Sequence, residues 1–580
     1  MDITVLESKI ARRFGVEERR SESAEEVIER VARSLATVER SYSGYKSGTT
    51  REWYARFRDL MMENRFWPSG RILNNAGSQQ SQLASCFVLP LEDNFSAVFE
   101  TLKTAAACHR TGGGTGFDLT PLRERNADIS TAEAGGASGP VSWLRLFNVE
   151  TGVVSEGGKM RGANLASLSV YHPDILEFID AKRDVGRFHH FNLSVSVDDN
   201  FMHMVSSDDS IQLVSPVEKK PVRRVPAREV WARICENAWR TGDPGLLFSD
   251  TINRHNPLLQ HLGPIRTTNP CGEQTLYPYE ASNLGSINLA SFLEPHGGGV
   301  NWAALEETVA VAVRLLDNAI DACIYPDARI TEMARANRRL GLGVMGYADL
   351  LIRLGVRYDS EQALELIDQL GTVIRDTAWK ASRTLAEERG AYPGWKHTGS
   401  PTPARNCAIT TIAPTGTISM IAECSSGIEP RFAARWNKDV MLEDGVVFAD
   451  EDLLNDLQQH HEISRDDAME SLRSTEIADL RLPAEIMAKY RYAHDISGEW
   501  HVRTVARWQK YIDNAVSKTV NMPQDCTAAD ISAVFTQAWN LGCKGSSVYR
   551  QDSRQRDLLS VIHAETEPEP TRQSKRLAMR

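Results

Sequence analysis

Apolar residues recur at helical spacing near the start of the chain. Val27, Ile28, Val31 and Leu35 follow Ser23-Ala24-Glu25-Glu26, a Ser-to-Glu spacing that fits a capping box, so a helix is predicted there. Residues 1–60 read as a helical region. Leu305, Val309, Val313, Leu316 and Ile320 define one face of a second helix, predicted over 301–323. Between Trp67 and Tyr549 the pattern becomes short apolar runs, Gly-rich turns and amphipathic helices without a linker, an alternation that points to an α/β fold. Residues 340–356 are the most apolar run, but Asp349 and Arg353 interrupt it, so a buried helix is expected rather than a membrane span. Residues 407–413 read as a strand. Residues 441–500 are charged and helix-forming and read as a surface excursion; 551–580 form a polar tail whose end, with its Glu-Pro-Glu-Pro, reads as disordered. No repeat of fixed period is visible.

Composition narrows the function classes. The chain has 580 residues, 42% hydrophobic and 25% charged, with 66 Lys and Arg against 77 Asp and Glu. A net charge of -11 argues against a DNA- or RNA-coating protein, which needs a basic footprint. Nine Cys with no CxxC spacing argue against a disulfide scaffold and a zinc knuckle. The pairs His189-His190 and His460-His461 cannot share a helix face, and no metal is assigned. The opening MDITVLESKIARRF lacks a secretory pattern, so a cytoplasmic location is expected.

Four segments carry candidate chemistry. In Asn269-Pro270-Cys271-Gly272-Glu273 a tight turn presents a thiol between an amide and a carboxylate, a hydrogen-bonding group and a sulfur centre beside a general acid or base. A buried Cys in a turn is the plainer reading of such a residue taken alone. Pro414-Thr415-Gly416-Thr417-Ile418 leads from the 407–413 run into a helix start and offers N–H and hydroxyl groups to a phosphate, without the Lys of a Walker loop. Residues 111–117, with Gly114, form a Gly-rich turn that fails the dinucleotide fingerprint because Phe117 replaces the last Gly. Gly157-Gly158-Lys159-Met160-Arg161 is a flexible loop with two cations, suited to an anion or to a solvated turn.

In order, several strings resemble ribonucleotide reductase large subunits, most closely the adenosylcobalamin-dependent class II enzymes. They are WPSGRILNNAG (67–77), QLASCFVLPLEDN (82–94), TGGGTGFDLTPLR (111–123), GGKMRGANLASLSVYHPDILEFI (157–179), NPCGEQTLYPYEASNLGSINLA (269–290), RRLGLGVMGYADLL (338–351), APTGTISMIAECSSGIEP (413–430), YIDNAVSKTVNMP (511–523) and GCKGSSVYR (542–550). The resemblance covers about residues 60–550 and implies a ten-stranded α/β barrel of two five-stranded halves over 61–550, with a finger loop at its centre. It implies that cobalt–carbon homolysis in adenosylcobalamin generates a thiyl radical on Cys271, which takes the ribose 3′-hydrogen. Glu273 matches the base for the 3′-hydroxyl, and Asn269 the amide that binds the ribose. Cys86 matches a reducing thiol, and Pro414 to Ile418 with Ser69, Ser85 and Gly114 match the substrate-binding set. Gly157, Gly158, Lys159 and Arg161 match the loop that reads a deoxynucleotide effector. A ribonucleotide substrate, an external thiol or other reductant, a homodimer, and no partnership with nucleic acid or membrane are further implications; diphosphate is favoured over triphosphate. The absence of adjacent tyrosines argues against the oxygen-dependent class, and Cys spacing against the glycyl-radical class.

Two departures qualify this. Ser282 stands where the redox partner of Cys86 is expected, and no Cys pair follows Cys543. They leave open a nucleotide-binding paralogue without turnover, a separate Cys-bearing reductant chain, or a partner moved to Cys108 or Cys424.

Overall fold

The computed structural model describes residues 22–561, except 43–45, 47, 80, 130–135, 157–161, 185, 296–297, 439–445, 475–478, 552 and 554–558. Strands Cys86–Leu89, Gly114–Asp118, Asn164–Ser169, Phe191–Val197 and Gly245–Phe248 pair in that order, all parallel. A second parallel set begins with Ala281–Asn288 and Leu340–Met345. It continues through single bridges, Leu342 to Thr410 and Ile412 to Val516, to Thr519–Met522 and Gly545–Arg550. The two sets meet at antiparallel seams: Ala281 and Ser282 lie opposite Phe87 and Cys86, and Gly545 and Ser546 opposite Leu247 and Leu246. Counting 410–412 and 516–522 as one strand each, the ring closes as the expected ten-stranded barrel of two five-stranded halves.

A hairpin of Thr267–Thr268 and Thr275–Leu276 runs up the middle. Two strand glycines make room for it. A Cβ on Gly116 would stand 1.9 Å from the Thr268 carbonyl oxygen, and one on Gly114 2.7 Å from Pro270 Cγ. The 111–117 segment is therefore a turn followed by a strand, and its glycines serve backbone approach.

The helix expected from Ser23 spans Ala24–Thr37 with both capping-box hydrogen bonds formed, and the expected 301–323 helix spans Trp302–Ala322 with Asn301 as its cap. The helices Ala24–Thr37 and Thr49–Met62 pack on Trp302–Ala322, and Glu39 joins them to the barrel through Arg314, Asn318 and Arg389. Residues 340–356 are not one helix. The run breaks at Gly346, in left-handed backbone (φ 72°), into the strand Leu340–Met345 and the helix Tyr347–Arg353. The strand is buried at every position, so no alternation separates it from a helix in sequence. The 407–413 run makes single bridges at Thr410 and Ile412.

The 441–500 excursion builds a satellite core around Leu453, Leu454, Leu457 and Leu472. It is tied to the barrel by Arg431, which pairs with Asp349, Asp450 and Asp452. Within the 551–580 tail, Leu559–Val561 pairs antiparallel with Arg435–Lys438. The stretch read as disordered, 565–580, lies outside the described residues.

Candidate active site

The hairpin tip holds Asn269 to Gln274. Its geometry is fixed from within by Asn269 Oδ1, which accepts Gln274 N–H at 3.0 Å, and by Gly272 N–H donating to Asn269 O at 3.1 Å. Both half-barrels clamp it. Asn192 Nδ2 donates to Pro270 O (2.9 Å), while Thr411 Oγ1 (2.7 Å) and Ala515 N–H (2.9 Å) donate to Glu273 O. Cys271 is thereby presented to a cavity of about 1070 Å³ that is lined by strands of both halves, the 414–432 loop and the edge of the excursion.

Polar groups around the tip are enclosed and underused. Asn269 and Gln274 are fully buried and Glu273 almost so. Asn269 Nδ2, Glu273 Oε2, both side-chain amide atoms of Gln274, Ser282 Oγ and Ser69 Oγ are buried without a hydrogen-bond partner. In a folded chain such atoms mark capacity held for a ligand. Burial lifts the Glu273 carboxyl to about 7, against the pull of Asn269. The Cys86 thiol is pushed up to about 12 by burial, then by Glu273, with Asn269 and Arg71 opposing. Burial pushes Cys271 well above the ordinary thiol range, with Glu273 and Cys86 adding to it. Its exposed surface faces the cavity, so exposure and a desolvated thiol coexist. All three thiol and carboxyl groups are thus biased toward their protonated forms.

Cys86 begins the first barrel strand and lies opposite Ser282 across the seam, so the two side chains leave the sheet on one face. Ser85 N–H donates to Ser282 O (3.0 Å), and Ser85 O accepts Gly114 N–H (3.0 Å). Ser69 precedes the helix Gly70–Asn75, and a Cβ on Gly70 would stand 4.0 Å from Thr417 Cγ2, so the Ser69 and 414–418 segments lie side by side. Thr415 is left-handed (φ 49°), and its Oγ1 accepts Gly427 N–H at 2.8 Å. Thr417 leads into the short helix Ile418–Ile421. Gly157, Gly158, Lys159 and Arg161 lie outside the described residues. Asn164, at the far end of that stretch, opens a strand and is bonded to Thr115, Thr151 and His109. Cys424 lines the cavity, whereas Cys108 is packed in the core.

Three groups escaped sequence reasoning. Arg71 is lowered to about 10, by burial first and against the opposing influence of Cys86. It sits inside the quoted WPSGR string, but nothing in its spacing marks it. Lys518 lines the cavity with a buried side chain, donating to Glu429 at 2.6 Å and meeting His501 Nδ1 at 2.9 Å. Gln274 follows Glu273 directly and has no signal of its own. Among the described residues no three metal-ligating side chains cluster, and no helix is long and apolar enough to cross a membrane.

Known proteins match this architecture. Residues 84–549 fit the family model for the ribonucleotide reductase barrel domain, and residues 1–81 that for the ribonucleotide reductase all-alpha domain. The chain is 43% identical over 516 residues to a vitamin B12-dependent ribonucleoside-diphosphate reductase of Thermoplasma acidophilum, covering 88% of this chain and 67% of that protein. It is 44% identical over 551 residues to a protein of the same name from Mycobacterium tuberculosis strain H37Rv, covering 93% and 76%. The solved class Id ribonucleotide reductase alpha subunit of Actinobacillus ureae shares the fold, with a TM-score of 0.77 at 21% identity over 94% of this chain and 97% of that one.

Proposed function

This chain belongs to the ribonucleotide reductase large-subunit family, and from that membership we propose that it reduces ribonucleotides, diphosphates first, to 2′-deoxyribonucleotides with adenosylcobalamin. The carrying observation is Asn269, Cys271 and Glu273 on one hairpin tip, inside a closed barrel and facing a cavity of about 1070 Å³.

The cavity exceeds what one nucleotide fills, and its lining includes the apolar Phe432, Ala449, Met469 and Ala493 among charged residues such as Arg431 and Asp450, so it has room for a nucleotide beside a corrinoid. Those four residues would offer apolar contact to the cofactor. When bound, adenosylcobalamin supplies the one-electron oxidation of Cys271 to a thiyl. Cys271 then removes the ribose 3′-hydrogen. Glu273, titrating near neutrality with Oε2 free, takes the 3′-hydroxyl proton, and Asn269 Nδ2 donates to the ribose. The enclosing strands keep water from the radical. Ser69, Ser85, Gly114 and the 414–418 loop are assigned to the substrate, and Gly157, Gly158, Lys159 and Arg161 to a deoxynucleotide effector.

Replacing the 2′-hydroxyl by hydrogen, with loss of water, consumes two electrons and two protons. Cys86 offers a thiol, but Ser282 opposite it cannot close a disulfide. The second electron equivalent is therefore assigned to an external thiol or another small reductant. A homodimer is supported by exposed Phe95 and Phe99 packed on Trp143, with Val149 and Val153 exposed further along the Trp143 helix. A cytoplasmic location completes the reading.

The test is deoxynucleotide formation from diphosphates and triphosphates with adenosylcobalamin, supplied in parallel with dithiothreitol and with formate. Product only with the cofactor supports the reading. Nucleotide binding without product in every arm leaves a binding paralogue; product with an added iron or manganese subunit and no cobalamin overturns the cofactor assignment.

A further inference from the structure

The barrel has a second mouth. Cys271 faces the end reached by later residues of the second-half strands, such as Ser547 and Tyr549. At the opposite end, the residues just before those strands line a separate cleft of about 550 Å³: Arg339 before Leu340, Ala408 before Thr410, Asp513 before Val516 and Lys544 before Gly545.

This cleft is strongly basic. Six Arg and Lys side chains line it, against Asp513 as the one carboxylate among the described lining residues; Arg254, Arg375 and Arg339 pair with Asp199, Asp376 and Glu280 outside the lining, which leaves Arg383, Lys510 and Lys544 without an ion pair among the described residues. The Asp513 carboxylate is already engaged, accepting the Ile409 and Thr410 amides and Trp379 Nε1. Two of the cations form the floor. Arg339 is 5% exposed; it spends Nε on Glu280 and Nη1 on Asn514 but leaves Nη2 without a partner. Lys544 is 7% exposed and donates to the Asp513 backbone carbonyl at 2.6 Å, with no carboxylate within ion-pair reach among the described residues. Its ammonium is lowered to about 8 by burial, against the attraction of Asp513. At the rim, Arg383 and Lys510 are exposed and make no ion pair among the described residues.

Arg339 is already paired with Glu280, but Lys544 is a buried cation with no carboxylate partner among the described residues; such a charge is costly, and a protein retains it where an anion completes it. A guanidinium and an ammonium at the rim, with the same pair below, suit phosphate oxygens. The volume holds several phosphates with an attached group, and Trp379 and Trp395 supply an aromatic wall. We propose that this cleft binds a polyphosphate-bearing small molecule, held at the rim by Arg383 and Lys510 over Arg339 and Lys544. The ligand would sit at the root of the hairpin that carries Cys271. Thr275 lines the cleft, and Arg339 pairs with Glu280, whose Oε2 also accepts Tyr277 N–H at 2.8 Å.

The test is calorimetric titration of the full apo chain with inorganic tripolyphosphate, which needs no turnover and so stands or falls apart from the reductase reading. Binding that strengthens at low salt, and that weakens about tenfold or more in an Arg383→Glu/Lys510→Glu double variant, supports the site. Both residues are exposed, so the fold is not at stake. No binding to the wild type, or equal binding to the double variant, overturns it, the latter placing polyphosphate in the Cys271 cavity. Comparison with a nucleoside triphosphate separates two sources of the same chemistry: tighter binding with Trp fluorescence quenching assigns a base to the aromatic wall, and equal affinity assigns the polyphosphate alone.

Discussion

Two buried polar clusters of this molecule treat their hydrogen-bonding capacity in opposite ways. Around Asp317, both carboxylate oxygens are spent: Oδ1 accepts Arg338 Nε and Asn406 Nδ2, and Oδ2 accepts Arg389 Nη1 and Arg405 Nε. Burial would raise that carboxyl, but Arg338, Arg405 and Arg389 outweigh it and hold it at about 2. Around Cys271, burial of Glu273 meets no cation of comparable weight, and its carboxyl rises to about 7 with Oε2 unpartnered. The first cluster fixes the helical region and the barrel in one arrangement. The second holds back donors and acceptors that a ligand can complete. The contrast lies in the carboxylates: that of Asp317 is filled on both oxygens, although Arg389 Nε beside it has no partner, and that of Glu273 keeps Oε2 for a ligand.

The sharpest way to break this contrast is Cys271→Ala. It abolishes deoxynucleotide formation, because an alkyl side chain carries no thiyl, while the thermal midpoint stays put; residual product in a chromatographic assay would remove Cys271 from its role. Glu273→Gln lowers kcat by roughly 10²–10⁴. In the wild type kcat rises with pH through about 7 as Glu273 loses its proton, and that limb disappears in the variant. Asp317→Ala does the reverse, costing about 3–5 kcal/mol in urea unfolding by leaving Arg charges buried without their partner.

pH separates the clusters further. Glu273 is raised from 4.5 to about 7, so its contribution to stability is full below 4.5 and is lost as pH rises through 7, worth about 3 kcal/mol at most. Asp317 is lowered from 3.8 to about 2, so its contribution is present above 3.8 and is lost as pH falls through 2. Urea midpoints of wild type and Glu273→Gln therefore diverge between about pH 4.5 and 7 in favour of the variant; parallel curves across that window would contradict the shift. The smallest effect is Ser282→Cys, a near-isosteric change. It creates a Cys86 disulfide after a single turnover on non-reducing peptide maps, while the wild type forms none. A wild-type bridge from Cys86 to Cys424 would show instead that the redox partner has moved.

Sequence reached the parts of the molecule that local physics decides. The Ser23 capping box and the face from Leu305 to Ile320 became the helices they predict, because amphipathic spacing and capping act within a few residues. The barrel was legible only through the resemblance of ordered strings. Residues 340–356 misled because a strand buried on both faces shows the same unbroken hydrophobicity as a buried helix. Arg71, Lys518 and Arg339 look like ordinary surface cations in sequence; only contacts made across the fold bury them.

The hairpin also joins the two halves. It lies between Gly245–Phe248, the last strand of the first set, and Ala281–Asn288, the first strand of the second. Its neighbours are distant in the chain: Thr267 approaches Phe117 across 150 residues, and Thr411 reaches back to Glu273 across 138. During synthesis the first set emerges complete while Cys271 still has only half its walls. Such long-range closure is slow compared with helix formation. The chamber around Cys271 therefore closes last, once Gly545–Arg550 has joined the ring, and no enclosed site exists before that strand is in place.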